Sequence, residues 1–128
     1  LPISSNGILG NEIYLREYIK QKGNLFAIVE IPLETFLPNV MIHTSVLFLQ
    51  KGQKNDNKKL FISINKFCGY DKKGCSIDKD DIRDVSKFYH KNISNEKNFF
   101  IDFFLLEQSF LAKRYLKKYI DNLNEINK

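Results

Sequence analysis

The 128 residues of the chain are 43% hydrophobic and 13% aromatic, a composition that excludes a disordered polypeptide and suits one domain or part of one. The 20 Lys and Arg residues against 15 Asp and Glu residues give a net charge of +5, a surplus that mildly favours a polyanionic partner such as nucleic acid. No apolar run reaches the roughly 18 residues that a membrane-spanning helix needs, and the first residues do not resemble a signal peptide, so we expect a cytoplasmic protein.

The first element predicted along the chain is a helix over residues 11–22. Apolar residues such as Leu15 and Ile19 recur there at helical spacing, and Gly23 is placed to end the helix in a left-handed conformation. Before the helix, Leu1-Pro2-Ile3 reads as the end of a strand that enters a loop, and no initiator Met precedes it. We therefore expect a fragment of a longer protein.

Three strands are predicted next. Residues 25–31 are almost continuously apolar, as in a strand that is buried on both faces, and residues 43–51 repeat this pattern with β-branched and aromatic side chains. Residues 60–67 alternate between apolar and polar positions, which predicts a half-exposed strand. The lysine-rich connection between the second and third strands predicts a solvent-exposed hairpin loop.

The second half of the chain predicts helices. An acidic start at residues 78–81 is followed by Ile82, Val85 and Tyr89 at helical spacing, which indicates a short helix with acid at its positive end. Ser94 is placed to begin one or two further helices with a wide apolar face, formed by Phe100, Phe103, Phe104, Leu111, Tyr115 and Tyr119. This face packs either on the chain's own core or on another domain or subunit.

The sequence predicts neither a metal site nor a catalytic residue within the chain. Cys68 and Cys75 are interpreted as reduced thiols, because zinc would need two more ligands, for which only the two histidines are available. The acidic residues Asp78, Asp80, Asp81 and Asp84 do not have the spacing of a calcium loop, and a helix N-terminus explains them. Glycine-rich phosphate loops and the common hydrolase and metalloprotease motifs are absent from the sequence.

Five segments occur in an order that carries a family resemblance. They are Leu1-Pro2 with Gly7-Ile8-Leu9; Leu15-Arg16-Glu17; Ile31-Pro32; the loop and strand residues Phe36, Pro38, Thr44, Ser45, Leu47, Phe48 and Lys51; and "GYDKKG" followed by "DDI". In this order they resemble the C-terminal part of the catalytic domain of N6-adenine DNA methyltransferases. The resemblance is to the methylation subunit of type I restriction-modification systems and to its fused relatives.

The resemblance implies a fold and a division of the chain. The fold would be α/β, namely the C-terminal portion of a Rossmann-like methyltransferase sheet with an antiparallel β-hairpin at its edge, followed by a helical tail. Residues 25–31 and 44–49 would form that hairpin. Residues 1–75 would belong to the methyltransferase domain, and residues 76–128 would form a helical C-terminal extension.

The resemblance also implies what the chain lacks. In this family the glycine motif that binds S-adenosylmethionine and the N/D-P-P-F/Y catalytic motif lie upstream of the matched region, and neither occurs in the chain. We expect the full-length protein to use S-adenosylmethionine and the chain alone to bind no cofactor and to be inactive. The implied partners are DNA, a specificity domain or subunit, and the missing N-terminal part of the methyltransferase domain.

The loop before the second strand is the candidate target-base site. Enzymes that modify adenine N6 must extrude the base from the duplex, and Phe36 is predicted to stack on the extruded base. The alternative is that Phe36 only covers the end of the hairpin. The other residues assigned to the base-pocket loop are Pro38, Asn39, His43, Thr44 and Ser45; His43, Thr44 and Ser45 could equally do no more than begin a strand.

Four lysines are predicted to contact DNA phosphates, namely Lys51, Lys54, Lys72 and Lys73. Alternatively, these lysines are ordinary solvated side chains. The alternative to an enzyme fragment is a non-catalytic nucleic-acid-binding or subunit-assembly module, which would use the apolar tail to dock a partner and the lysines to contact nucleic acid.

Overall fold

The computed structural model describes residues 12–51, 59–107 and 109–126. The helices are α1 (Ile13–Lys22), α2 (Val85–Lys91) and α3 (Ala112–Ile126). The strands are β1 (Asn24–Ile31), β2 (Thr44–Gln50), β3 (Lys59–Ile64), β4 (Cys68–Tyr70), β5 (Ser76–Asp80) and β6 (Asn98–Asp102). Strands β2, β1, β3 and β6 form one sheet in that order, and β4 pairs with β5 in a separate hairpin.

The β1–β2 hairpin and the parallel partner of β1 define the main sheet. β2 runs antiparallel to β1, with Ile31 opposite Thr44 and Asn24 opposite Gln50. β3 runs parallel to β1, with Ala27 beside Phe61. The predicted α/β class, the antiparallel hairpin at the edge of the sheet and the helical tail are therefore confirmed.

Apolar side chains cover both faces of this sheet. On one face, Leu25, Ile28, Ile62 and Phe99 are buried in a cluster with Tyr115 of α3. On the other face, the rings of Phe26, Phe61 and Phe100 gather around Tyr89 of α2 at centroid distances of 5.5–6.2 Å. Because successive strand residues point to opposite faces, the two layers need the nearly continuous apolar sequence of β1.

Strand β3 differs from its prediction. It is buried except for Lys59, whereas the sequence pattern predicted a half-exposed strand. The reason is that both of its faces are covered, one by the cluster that includes Tyr115 of α3 and the other by Tyr89 of α2. The predicted hairpin between the second and third strands is also wrong, because β1 lies between β2 and β3. The connection itself, residues 52–58, lies outside the described residues.

Helix α1 ends without the predicted left-handed glycine. Gly23 has φ −80° and ψ 146°, an extended conformation, and its N–H donates to the Ile19 carbonyl at 2.9 Å. The glycine thus leads directly into β1, and the prediction for Gly23 is wrong. A Cβ at this position would stand 2.9 Å from the Ile19 carbonyl oxygen, so close packing is what favours glycine there.

The acidic residues before α2 stabilise loops instead of starting the helix. Residues 76–80 form β5, and α2 begins only at Val85, so the predicted helix start is wrong. The Asp81 carboxylate accepts the backbone N–H groups of Lys66 and Phe67 at 2.9 and 3.2 Å and lies 3.3 Å from Lys97 Nζ. Asp80 in turn accepts the N–H of Ile82 at 3.0 Å. These bonds join the β4–β5 hairpin to the end of β3.

The helix predicted to begin at Ser94 is a strand in its first part. β6 pairs with β3, and Phe99 and Ile101 are buried while Phe100 turns to the opposite face, a period of two residues. The prediction failed because a short aromatic run fits either periodicity. The helical tail itself is present as α3. The division at residue 75 stays a prediction, although β6, which lies beyond it, belongs to the same sheet as β1.

Both cysteines have free thiols, Cys68 in β4 and Cys75 in the turn before β5. Within residues 12–51, 59–107 and 109–126, no three His, Cys, Asp or Glu side chains are grouped closely enough to hold a metal ion. None of the helices in that same part is long and apolar enough to cross a membrane.

Tyr115 anchors α3 to the segment that precedes it. Its ring is fully buried, and its hydroxyl donates to the Ser109 carbonyl and accepts the Glu107 N–H at 3.0 Å. Burial raises the pKa of the Tyr115 hydroxyl. Hydrogen bonds from Lys118 and Arg114 lower the pKa of the exposed Glu107 carboxyl, so this surface network is present above the ordinary carboxyl pKa and is lost as the pH falls.

We predict that Tyr115→Phe lowers the free energy of unfolding by about 1–3 kcal/mol, because it removes the hydroxyl that bonds the Ser109 carbonyl and the Glu107 N–H. Urea denaturation measures the change. Tyr18→Phe is the matched control, because Tyr18 is 62% exposed, and it should change stability by less than about 0.5 kcal/mol. Equal losses in the two variants would contradict the anchoring role.

Candidate functional site

The connection between β1 and β2 spans residues 32–43, contains several hydrogen bonds and exposes one aromatic ring. Leu33–Phe36 form a 3-10 helix, in which the Thr35 hydroxyl donates to the Pro32 carbonyl at 2.7 Å. The Phe36 carbonyl accepts the N–H groups of Asn39 and Val40 at 3.1 and 3.2 Å. The Phe36 carbonyl is therefore fixed by two hydrogen bonds, while the residue is 43% exposed.

The buried carboxylate of Glu30 lies next to this connection. Glu30, near the end of β1, is 2% exposed, and its Oε1 accepts the N–H of Ala112, the first residue of α3, at 3.2 Å. The positive end of a helix favours such a carboxylate. Oε2 lies 3.9 Å from His43 Nε2 and accepts no hydrogen bond from the described residues.

Asn65 joins the ends of the parallel strands β1 and β3. Its backbone N–H and its Nδ2 both donate to the Glu30 carbonyl, at 3.2 and 2.9 Å, and Nδ2 also donates to Ser63 Oγ at 3.0 Å. Asn65 is 3% exposed, and its Oδ1 lacks a hydrogen-bond partner among the described residues. Two buried acceptor oxygens thus lie at the carboxyl end of the sheet, where open α/β sheets bind their ligands.

A cavity of about 220 Å³ opens beside these acceptors. We call it the acceptor pocket, and it is lined by Glu30, Pro32, Leu33, Glu34, His43, Ile64, Asn65, Lys66 and Lys113. The lining includes the start of the 3-10 helix that carries Phe36. The pocket therefore lies next to the predicted base-stacking loop.

The other residues predicted for the base pocket fall into two groups. Pro38 and Asn39 are exposed beyond the 3-10 helix, while His43 is partly exposed beside Glu30. Thr44 begins β2, and its hydroxyl lies 3.4 Å from the Ile42 carbonyl. Ser45 is fully buried within β2. The structure thus brings four of the five to the accessible surface of the connection and encloses Ser45.

The predicted phosphate-binding lysines lie in different places. Lys51 follows β2 at the end of the hairpin away from Phe36, about 20 Å along the strand at roughly 3.3 Å per residue. Lys72 and Lys73 are exposed at the turn of the β4–β5 hairpin, and β4 lies against the 3-10 helix of Phe36. Lys54 lies outside the described residues.

Asp71 shapes the turn that presents Lys72 and Lys73. Its Oδ1 accepts the N–H groups of Lys73 and Cys75, both at 2.9 Å, and its carbonyl accepts the N–H of Gly74. Gly74 has φ +80°, a conformation that favours glycine. The side chain and the carbonyl of Asp71 therefore stabilise this turn.

Sequence reasoning missed Glu30 and Asn65. One signal was available for Glu30, which is the single charged residue in the apolar run of residues 25–31. A charged side chain in a strand that is buried on both faces needs a specific partner. No comparable signal marked Asn65, because its importance comes from the parallel pairing of β1 with β3.

A second concave surface lies on the aromatic face of the sheet. It encloses about 1090 Å³ between the strands and α2, and Phe26, Val46, Phe48, Phe61 and Tyr89 are among its lining residues. Its lining includes no carboxylate, and it is apolar over most of its surface. This groove continues onto β2, where Phe48 and Leu49 are 43% and 49% exposed.

Comparison with known proteins identifies relatives of this fold. The family model for N-6 DNA methylases matches residues 3–113. A modification subunit assigned to a type I restriction enzyme of Vibrio vulnificus YJ016 aligns with a TM-score of 0.60 and 18% identity, over 79% of this chain and 21% of that one. No curated protein matches the chain.

A second solved structure comes from work on complex assembly and conformational transition in the type I restriction-modification system. It aligns with a TM-score of 0.55 and 18% identity, over 79% of this chain and 23% of that chain. The chain spans about a fifth of the length of these two relatives. At this level of identity, the likeness establishes the fold alone.

We predict that Glu30→Ala lowers the free energy of unfolding by about 1–3 kcal/mol, because the buried N–H of Ala112 loses its acceptor. Chemical denaturation followed by circular dichroism measures the change. Glu34→Ala is the matched control, since Glu34 lies at the rim of the same pocket, and its effect should stay within about 0.5 kcal/mol. A Glu30 variant as stable as the Glu34 variant would argue against this role for the carboxylate.

Proposed function

The chain belongs to the N-6 DNA methylase family, and we propose that it is part of a cytoplasmic, site-specific adenine-N6 DNA methyltransferase of a type I restriction-modification system or a fused relative. Within that enzyme it contributes the target-base side of the active site. The family match over residues 3–113 supports the enzyme class. The observation that carries the proposed role is the exposed ring of Phe36 on a connection that is fixed by its own hydrogen bonds.

Phe36 is proposed to stack on the extruded adenine. The amino group of adenine is paired inside the duplex, so the enzyme must turn the base out of the helix and replace the lost stacking. An aromatic face contributes about 1–3 kcal/mol per stacked base. The hydrogen bonds to the Phe36 carbonyl lower the entropy that the loop loses on binding, since they fix the backbone before the base arrives.

Neighbouring residues are proposed to complete this site. Pro38 and Asn39 extend the exposed surface beyond Phe36, and His43 and Thr44 stand at the start of β2. Lys72 and Lys73 are proposed to contact DNA phosphates from the adjoining hairpin, each with a modest and salt-sensitive effect. Lys51 and Lys54 stay candidates for phosphate contacts, but Lys51 would contact DNA at a separate place. Ser45 is enclosed within β2 and is proposed to have a structural role.

The open edge of β2 is proposed to pair with the remainder of a Rossmann-like methyltransferase sheet. Among the described residues, β2 pairs on one side only, with β1. Its side chains Val46, Phe48 and Leu49 are 37–49% exposed, which is unusual for an apolar strand of a finished sheet. The share of the solved relatives that the chain covers supports this proposal, because most of their length lies outside the matched region.

The described residues do not fit S-adenosylmethionine. The acceptor pocket, at about 220 Å³, is too small to enclose the whole molecule, and the larger groove has no carboxylate among its lining residues to accept ribose hydroxyls. We infer that the methyl donor and the groups that hold the adenine amine during transfer belong to the rest of the enzyme.

DNA and a specificity subunit or domain are the proposed partners. This follows from the type I systems to which the two solved relatives belong. The alternative, a non-catalytic module that binds nucleic acid or assembles subunits, is not favoured by the family match or by these relatives.

We predict that Phe36→Ala in the full-length enzyme weakens binding of a duplex with an extrudable adenine by about 5- to 150-fold, which corresponds to the loss of one stacked base. The thermal midpoint should change little, because the ring is already half exposed. Binding is measured by fluorescence anisotropy, and base extrusion by the emission of 2-aminopurine at the target position.

Phe104→Ala is the control for this experiment. Phe104 is 81% exposed and follows β6 at the opposite edge of the sheet, so its removal should leave both DNA binding and extrusion unchanged. If Phe36→Ala lowered the thermal midpoint and DNA affinity in parallel, or if the two variants bound DNA equally well, Phe36 would be a covering residue only.

We predict that the chain forms a complex with the separately produced N-terminal part of the enzyme, and that Phe48→Asp weakens this complex by at least about tenfold, because it places a charge on an apolar contact surface. Phe104→Asp, at the far edge of the sheet, should leave the affinity unchanged. Sedimentation velocity or calorimetry provides the measurement. Equal affinities for the two variants would place the contact elsewhere.

A further inference from the structure

The β4–β5 hairpin presents a second exposed aromatic residue beside the connection that carries Phe36. Tyr70 is the last residue of β4 and is 56% exposed. Cα atoms of β4 come within 8 Å of Cα atoms of the 3-10 helix that ends at Phe36. We propose that Tyr70 enters the gap that the extruded base leaves in the duplex and stacks there on the neighbouring bases. This inference rests on the proposed function, because the gap exists only if a base is extruded.

The backbone directly before Tyr70 has a special conformation. The pairing register of β4 with β5 shifts between Cys68 and Tyr70, and Gly69, which lies between them, has φ +85°. This conformation favours glycine, and irregularities of this kind in a strand pair redirect the neighbouring side chain. The direction and the exposure of the Tyr70 side chain are therefore set by the backbone of the hairpin.

Hydrogen bonds hold the hairpin at both of its ends. At the turn, Asp71 Oδ1 accepts two backbone N–H groups. At the other end, the Asp81 carboxylate accepts the N–H groups of Lys66 and Phe67, and the Asp81 N–H donates to the Phe67 carbonyl at 2.9 Å. Because the hairpin is ordered before DNA arrives, inserting its tyrosine costs less conformational entropy than inserting a residue of a flexible loop.

The charges next to Tyr70 favour a polyanionic partner. Lys72 and Lys73 follow it in the exposed turn, and the carboxylate of Asp71 is occupied by the backbone N–H groups of that turn. An exposed aromatic ring with adjacent cations is the combination by which proteins hold bases and their phosphates together. In the proposed complex the two lysines bind phosphates while the ring enters the base stack.

A tyrosine suits the gap for two physical reasons. Extrusion exposes the faces of the two neighbouring bases, and an inserted ring replaces the stacking that they lose. The hydroxyl group at the far end of the ring can donate or accept a hydrogen bond with the unpaired partner base. Phe36 cannot fill the gap while it stacks on the extruded base, so the second ring must come from another element.

The test measures the affinity of the full-length enzyme for three duplexes by fluorescence anisotropy. One duplex has adenine at the target position, one has an abasic analogue there, which offers a gap without a base, and one lacks the target site. We expect Tyr70→Ala to weaken binding of the first two by about 5- to 150-fold, the value of one stacked base, and to leave the third unchanged. Phe36→Ala should weaken binding of the adenine duplex only.

Two further variants serve as controls. Tyr70→Phe keeps the ring and should retain most of the affinity for the first two duplexes. Tyr18→Ala is the matched control, because Tyr18 is 62% exposed on α1, and it should bind all three duplexes as the unaltered enzyme does. The thermal midpoint of Tyr70→Ala should stay unchanged, since more than half of the residue is already in water.

Three results would overturn gap filling by Tyr70. They are unchanged affinity of Tyr70→Ala for the abasic duplex, an equal loss of affinity for the duplex without a target site, and weaker binding of the specificity subunit with unchanged binding of DNA. The emission of 2-aminopurine at the target position separates these results from failure of the proposed function. If the unaltered enzyme extrudes the base, they overturn the role of Tyr70 alone; if it extrudes none, the proposed function fails as well.

Discussion

Glu30 connects the elements that meet at the carboxyl end of β1, through both its carboxylate and its backbone carbonyl. Glu30 sits near the end of β1, and its side chain bonds the first N–H of α3 while its carbonyl accepts two donors from Asn65 beyond β3. His43, at the far end of the β1–β2 connection, lies beside the same carboxylate. Placing such a charge in a buried strand is costly, and the positive end of α3 offsets part of that cost.

The parallel pairing of β1 with β3 explains why these groups meet. Parallel strands bring their carboxyl ends to one edge of a sheet, and the residues that follow both strands must then share that edge. The antiparallel hairpin adds the connection with Phe36 to the same edge, and the Asp81 contacts add the β4–β5 hairpin. Residues far apart in sequence are thus collected beside one cavity, and Lys51, at the opposite end of β2, is left out.

Local sequence patterns were sufficient to predict the strands whose apolar runs are continuous. The sequence patterns predicted the two strands that flank the proline-containing connection, and the family resemblance predicted that these strands pair as an antiparallel hairpin. The predictions failed where contacts with other elements determine the burial or the secondary structure of a segment. β3 was predicted to be half exposed because its alternation does not show that α3 and α2 cover its two faces. β6 was predicted as helix because a short aromatic run carries no clear period. Asn65 carried no local signal at all.

Phe36 is partly exposed, as are Val40 and Met41 in the same connection. Full burial of a phenylalanine stabilises a protein by about 1.5–3 kcal/mol, and part of this is forgone when 43% of the ring stays in water. The loop does not lack order, since the Phe36 carbonyl accepts two N–H groups and the Thr35 hydroxyl donates to the Pro32 carbonyl. A backbone that is held firmly while its ring stays exposed is the arrangement that stacking on an incoming base requires, because the ordering cost is met before binding.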